Sequence, residues 1–272
     1  MSTAPLTGRV ALITGAGRGI GRATALRLAA DGAALVLGDL DQQPLVDVVQ
    51  AIESSGGRAT YLCGNCADRD VADSLVQLGV ERFGSLDVVV NNAGTTRDRM
   101  FHTMDDETLL RVLDANVHTA WQTTQAAIAH MRPKAKAEIA ATGHVDHQRK
   151  IVFTASVAAL TGNPGQSNYT AAKGALIALT KTLAQELGPL GINVNAVAPG
   201  FIETRLTAEK TAGADLGIPA DVRASIRAMI ALGRFGEPDD VARATAFLVS
   251  PDSDFVSGVT LPVTGGQFGG MG

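Results

Sequence analysis

Thr14-Gly15-Ala16-Gly17-Arg18-Gly19-Ile20-Gly21 decides how this chain folds. It joins an apolar run at 10–14 to a helical pattern at 20–30. Gly15, Gly17, Gly19 and Gly21 keep side chains out of the loop, so backbone N–H groups at the start of a helix can close on a pyrophosphate. Arg18 and Ile20 fill the positions between them. Counting from Gly15, Ile20 stands where the common G-x-G-x-x-G spacing would put its third glycine. The loop alone is also compatible with a tight turn, since the chain has 30 glycines. A strand before it and a helix after it favour a bound dinucleotide.

Outward from this loop, short β-branched runs alternate with helical stretches. Further strands are expected at 34–38, 59–63, 86–91, 150–154, 192–197 and 260–263, and helices at 44–55, 71–83, 107–131, 168–187 and 238–249. The strand runs are almost continuously apolar, which requires cover on both faces. The expected fold is therefore α/β: one Rossmann-like, doubly wound parallel sheet of about seven strands with helices on both faces, filling residues 1–272. Gly56-Gly57 and Gly188-Pro189 mark helix ends. Two stretches break the rhythm, 133–149 and 201–238. The second follows the carboxyl end of a strand, where such sheets bind ligands, and reads as a substrate lid. The first precedes a strand and is expected on the opposite rim, so its His144-Val145-Asp146-His147 reads as a solvated loop and no metal site is expected.

Composition removes other classes. With 46% hydrophobic and 18% charged residues the chain is not disordered. A net charge of -4 lacks the basic excess that nucleic-acid binding needs. No apolar run approaches the roughly 18 residues of a membrane span, and residues 1–9 hold no hydrophobic leader, so a soluble, cytoplasmic protein is expected. Cys63 and Cys66 are too few for a disulfide framework, have no further zinc ligands at useful spacing, and read as two small buried residues closing the third strand. Trp121 and Tyr61 read as packing residues.

Asp39 ends the second strand at the place, about 20 residues beyond the glycines, where an acid accepts hydrogen bonds from the adenosine ribose hydroxyls. Its carboxylate would repel a 2′-phosphate, which favours NAD. Arg18 could pair with that phosphate, which keeps NADP as the second choice. Asn91-Asn92-Ala93-Gly94 follows the fourth strand, Asn116 lies in the long helix, and Ser156 follows the fifth strand. Tyr169 and Lys173 are spaced to share one helical face. The ammonium should pull the phenol down from its usual value of about 10, suiting proton exchange with a carbinol oxygen, while Ser156 holds the carbonyl. An exposed Tyr-Lys pair and a loop serine are the plain alternatives.

Together, Thr14-Gly15-x-x-x-Gly19-Ile20-Gly21, Asn91-Asn92-Ala93-Gly94, Ser156, Tyr169-x-x-x-Lys173 and Pro199-Gly200 resemble the short-chain dehydrogenase/reductase family over nearly the whole chain. The resemblance implies Tyr169 as general acid/base, Ser156 as the residue orienting substrate oxygen, Lys173 on the nicotinamide ribose beside Tyr169, and Asn116 in a water-linked proton relay. It further implies Asn65 and Cys66 at the adenine, where many relatives have Asp-Val. Asn91, Ala93 and Gly94 would line the adenosine ribose and stabilise the central sheet, Asn92 would join the cofactor contacts, and Pro199, Gly200, Ile202 and Thr204 would lie toward the nicotinamide, with Ile202 and Thr204 facing its carboxamide.

The segments 92–98 and 199–204 resemble 3-oxoacyl-(acyl carrier protein) reductases and 3-hydroxyacyl-CoA dehydrogenases, which implies a 3-oxoacyl or 3-hydroxyacyl thioester on CoA or an acyl carrier. Asp39 departs from the NADPH habit of the biosynthetic reductases, and Gln185 stands where they often place a carrier-binding arginine. Arg97, Arg99, Arg132 and Lys134 could meet an acidic carrier or CoA phosphates, or be plain solvated surface. Another secondary alcohol (steroid, polyol or xenobiotic), a non-catalytic NAD sensor and a purely structural role stay open. The complete set Asn116, Ser156, Tyr169 and Lys173 favours an enzyme. The resemblance also implies a homotetramer built through 107–131, 168–187 and the C-terminal region.

Overall fold

The computed structural model describes residues 4–205, 207–209 and 218–267. Parts of the expected lid and the glycine-rich end lie outside these. In chain order the elements are β1 (Val10–Thr14), α1 (Gly19–Ala30), β2 (Ala34–Asp39), α2 (Gln42–Ser54), β3 (Arg58–Cys63), α3 (Arg69–Phe83), β4 (Val88–Asn91) and α4 (Asp106–Leu113). A π-turn (Asp114–His118) leads into α5 (Thr119–Thr142), then β5 (Arg149–Thr154), α6 (Ala158–Thr161), α7 (Ser167–Leu187), β6 (Ile192–Pro199), α8 (Ala220–Met229), α9 (Pro238–Val249) and β7 (Thr260–Val263). The strands pair in parallel in the order β3-β2-β1-β4-β5-β6-β7.

Every residue of β1, β4, β5 and β6 is buried, whereas the edge strands β3 and β7 hold none that is. Alternation splits the core into two layers. Val10 and Leu12 of β1 join Leu75, Ala127 and Leu176 from α3, α5 and α7, while Ala11 and Ile13 join Leu28, Val48 and Val241 from α1, α2 and α9. Burying a side chain of this size is worth about 1.5–3 kcal/mol, so the apolar runs leave the strands no stable alternative to a covered sheet. The order reverses between β1 and β4, and a crevice opens beyond their carboxyl ends. Both the glycine loop and Asn91-Asn92-Ala93-Gly94 fall there.

The stretch 133–149 is not the loop that the sequence suggests. Helix α5 continues through Pro133 to Thr142, where Gly143 closes it in the left-handed conformation with φ of 83°. Proline costs a helix one hydrogen bond, here the one to the carbonyl of Ala129. Both residues are exposed, so that carbonyl lies on the solvent face, while Met131 and Ala135 bury the inward face. Glu138 then receives Arg149 from β5 through two hydrogen bonds, Nη1 to Oε2 at 3.0 Å and Nη2 to Oε1 at 2.6 Å. His147 is no free loop residue either, since its Nε2 lies 2.9 Å from Asp87 Oδ1.

Three smaller expectations also change. Cys66 is buried but Cys63 is exposed, because β3 is an edge strand and its last side chain meets solvent. Trp121 is 44% exposed and not part of the core. Within 201–238 the described residues include a helix, α8, in place of an irregular strap. Among the described residues no helix is long and apolar enough to cross a membrane.

Candidate active site

The glycine loop is held by its neighbour across the crevice. Asn92 Nδ2 donates to the carbonyls of Thr14 at 3.1 Å and Gly15 at 3.0 Å, and Thr14 Oγ1 accepts from the N–H groups of Asn92 and Ala93, both at 3.2 Å. A Cβ on Gly21 would stand 2.0 Å from Gly15 O and 2.6 Å from Asn92 Nδ2, so the turn closes only around glycine. Arg18 caps α1 without a side-chain hydrogen bond, leaving the first amides of the helix aimed outward. Asp39 Oδ2 accepts from Gly17 N–H at 2.9 Å, which sets this carboxylate beside the loop. Arg18 turns its guanidinium to Asp41. These residues fit a dinucleotide: free amides for the pyrophosphate and an acid at the ribose position.

Not every residue implied for the adenosine end brings its side chain there. The Cys66 thiol points under the sheet, 3.2 Å from where a Cβ on Gly38 would lie, and burial pushes it up to about 12, beside Asp39 and Asp68. Cys66 can face an adenine only through its backbone. Asn65 Oδ1 already accepts from Ala67 N–H at 3.1 Å. Asn91 is buried and donates to Thr124 Oγ1 at 2.9 Å, so it holds β4 to α5 and stands off the crevice.

On the other side of the crevice the four catalytic candidates converge. The π-turn interrupts the long helix that the sequence suggests, and it carries Asn116 inward. Its Nδ2 donates to Thr95 O and Val112 O, both at 2.8 Å, while Oδ1 is buried with no hydrogen-bond partner among the described residues. A Cβ on Gly94 would lie 2.4 Å from that Oδ1 and 3.1 Å from Lys173 Nζ, so glycine lets the two approach. Lys173 is 3% exposed, donates to Thr154 O at 2.8 Å and stands 5.6 Å from the Tyr169 ring centroid. Burial alone lowers the Lys173 ammonium to about 8.

Tyr169 departs from expectation. Burial, the largest influence, raises its phenol above the usual value; a hydrogen bond with Ser156 opposes the rise and the charge of Asp98 adds to it. No pull from Lys173 is among the influences on this phenol: the ammonium donates to Thr154 O, and its Nζ stands 5.6 Å from the ring centroid. Ser156 Oγ also accepts from Ala158 N–H at 3.2 Å, which orients it at the start of α6.

Beyond β6, Gly200 N–H donates to Val263 O at 3.0 Å and Pro199 O accepts from Val157 N–H at 3.0 Å, tying the strand's exit to both neighbours. Ile202 is 5% exposed, and Thr204 N–H donates to Thr207 Oγ1 at 2.9 Å. Three contributors escaped the sequence reading. The Thr14 hydroxyl pins the crevice, and its place just before Gly15 was the available signal. Asp98 reaches Gln166 Nε2 at 2.9 Å beside α7, and Arg223 reaches back to Glu203; neither has a local signature.

The family model described as enoyl-(acyl carrier protein) reductase matches residues 15–267. A 3-oxoacyl-[acyl-carrier-protein] reductase FabG of Thermotoga maritima is 39% identical over 261 residues, covering 96% of this chain and 98% of its own length. A short-chain reductase, NovJ, of Streptomyces niveus is 41% identical over 95% of this chain and 93% of its own. Among solved structures, a 3-ketoacyl-(acyl-carrier-protein) reductase from Brucella melitensis complexed with NADH superposes with a TM-score of 0.84 at 33% identity, covering 96% of this chain and 99% of that one.

Proposed function

This chain belongs to the short-chain dehydrogenase/reductase family, and we propose that it is an NAD-linked oxidoreductase that interconverts 3-oxoacyl and 3-hydroxyacyl thioesters. The observation that carries this reading is the convergence of Tyr169, Lys173, Ser156 and Asn116 beside the glycine loop. The nicotinamide ring, when bound, supplies or accepts the hydride. Tyr169 gives its proton to the substrate oxygen in reduction and takes it back in oxidation. A phenol held above its usual value stays protonated at neutral pH, as a donor must. Ser156 holds the same oxygen. Lys173 would hold the nicotinamide ribose beside Tyr169, and an ammonium near 8 can lose and regain its proton there. The free Oδ1 of Asn116 would hold the water that replenishes it.

Preference for NAD rests on Asp39. A second phosphate at the ribose would meet a carboxylate already fixed by Gly17 N–H, and Arg18 is engaged by Asp41. The NADH complex of the Brucella neighbour supports the same cofactor. The names of the relatives support a thioester on an acyl carrier; CoA is the smaller version of that handle. The described residues of 201–238, α8 among them, serve as the lid over the substrate. Exposed Trp121 on α5 and Phe255 before β7 support burial against further copies, as in a homotetramer.

Acetoacetyl-CoA reduction, assayed with NADH and NADPH side by side, tests this reading, with Tyr169→Phe as control. Turnover with NADH that the control lacks is the expected result. NADPH preference overturns the reading of Asp39, and no turnover with either cofactor removes short 3-oxoacyl esters and leaves other secondary alcohols.

A further inference from the structure

Helix α8 has no buried residue, so apolar packing does not seat it. One of its cations is nevertheless folded inward: the Arg223 side chain is only 12% exposed. Its guanidinium carbon lies 4.6 Å from the ring centroid of Phe235 and 5.8 Å from that of Phe201, and the two rings are 4.6 Å apart. Nη2 donates to Glu203 Oε1 at 2.7 Å, and Nη1 donates to the carbonyl of Thr207. The Thr207 hydroxyl in turn donates to Ile202 O and accepts from Thr204 N–H. Planar stacking and several directed donors from one group are what guanidinium does and ammonium does not.

Phe201 and Glu203 reach Arg223, Ile202 is buried against Gly236, and Thr204 turns toward the start of α1. Thr204 Cγ2 lies 3.6 Å from where a Cβ on Gly19 would stand, which sets it over the glycine loop. Arg223 therefore touches nothing in the crevice itself, yet it holds the segment that roofs one end of it. Asp39 and Gly17, at the other end, share no hydrogen bond with this network among the described residues.

We propose that Arg223 is a positioning residue for dinucleotide binding: it fixes 201–204 across the glycine loop, shaping the nicotinamide half of the site and leaving the AMP half untouched. The inference rests on the reading of that loop as a dinucleotide cradle. It differs from a purely structural role in one respect, because general loosening would weaken both halves alike.

Equilibrium titrations of the full chain with NADH and, separately, with AMP decide the matter. Arg223→Ala should weaken NADH binding roughly tenfold, the loss expected of a charged hydrogen-bonding group, while AMP affinity stays within about twofold. Arg223→Lys, which keeps the charge but cannot stack and bridge, should recover only part of the loss. Glu203→Gln removes the ion pair at an exposed position; it keeps the test alive if Arg223→Ala does not fold, with an expected weakening of about threefold for NADH alone. Unchanged NADH binding in the variants overturns the proposal, and so does an equal loss for NADH and AMP. Should the wild-type chain bind neither, the cradle reading itself fails, and this inference with it.

Discussion

The two rims of the sheet spend their polar groups in opposite ways. At the amino rim, buried Asp87 accepts from Val10 N–H, Ser85 Oγ and His147, and the fully buried Arg149 is clasped at two points by Glu138, its Nε alone lacking a partner among the described residues. At the carboxyl rim, Asn116 Oδ1 stands without a partner among the described residues, Lys173 makes one hydrogen bond to Thr154 O, and the start of α1 has no side-chain cap. Charge that is matched at several points fixes a fold, whereas charge left partly unmatched at a crevice is held ready for something that arrives. The difference separates stability from chemistry along the strand direction.

The largest effect expected from this contrast is a crossed pair of variants. Glu138→Ala leaves the Arg149 guanidinium buried without its counter-charge and should cost about 3–5 kcal/mol of stability, with turnover per folded molecule unchanged. Tyr169→Phe should do the reverse, lowering turnover by about 10²–10⁴-fold at an unchanged melting temperature. Thermal melts and steady-state rates on both proteins would expose any mixing of the two roles.

A somewhat smaller effect distinguishes the rims by pH in the chain without cofactor. The Lys173 ammonium is near 8 in the folded chain and near 10.5 when unfolded, so the unfolded state holds more protons between those values. Stability should therefore rise over that window, by on the order of 3 kcal/mol, and Lys173→Met should abolish the rise. At the amino rim burial favours neutral Asp87, but hydrogen bonds from His147, Val10 N–H and Ser85 outweigh it and hold the carboxyl below its usual value. That contribution is complete above the ordinary carboxylate range and is lost as pH falls through the lowered value; Asp87→Asn should remove this acid limb from denaturant titrations.

The smallest effect concerns the acid that faces the crevice. Asp39→Asn keeps an acceptor for Gly17 N–H but removes the charge, so the preference for NADH over NADPH should fall by about tenfold while melting stays the same. An unchanged cofactor ratio would show that this carboxylate belongs with the structural charges after all.

What the sequence could reveal follows the same division. Continuous apolar runs and glycines at fixed offsets are local signals, and they suffice for the seven strands, the loop of 15–21 and the four catalytic candidates. Arg149 reads as a polar strand boundary because its partner lies eleven residues back, beyond a proline that suggests a helix has ended. Arg223 has no local signature because Phe201 and Phe235 reach it from separate segments. Tyr169 shows the third limit. The lysine one turn away is visible in sequence, but the burial that raises the phenol comes from the folded surroundings.

The π-turn between α4 and α5 acts as a phase shifter. An α-helix advances about 100° per residue, and one extra residue in a turn offsets everything downstream by that angle. Val112, on the last turn of α4, and the buried Ala120, Thr123 and Ala127 of α5 therefore need not follow one unbroken stripe to face inward. Excising a single residue from 114–118 would confront α5 with a choice between keeping its apolar side on the sheet and keeping Asn116 aimed at Lys173, and that dependence makes this short stretch intolerant of length change in a way that its ordinary composition conceals.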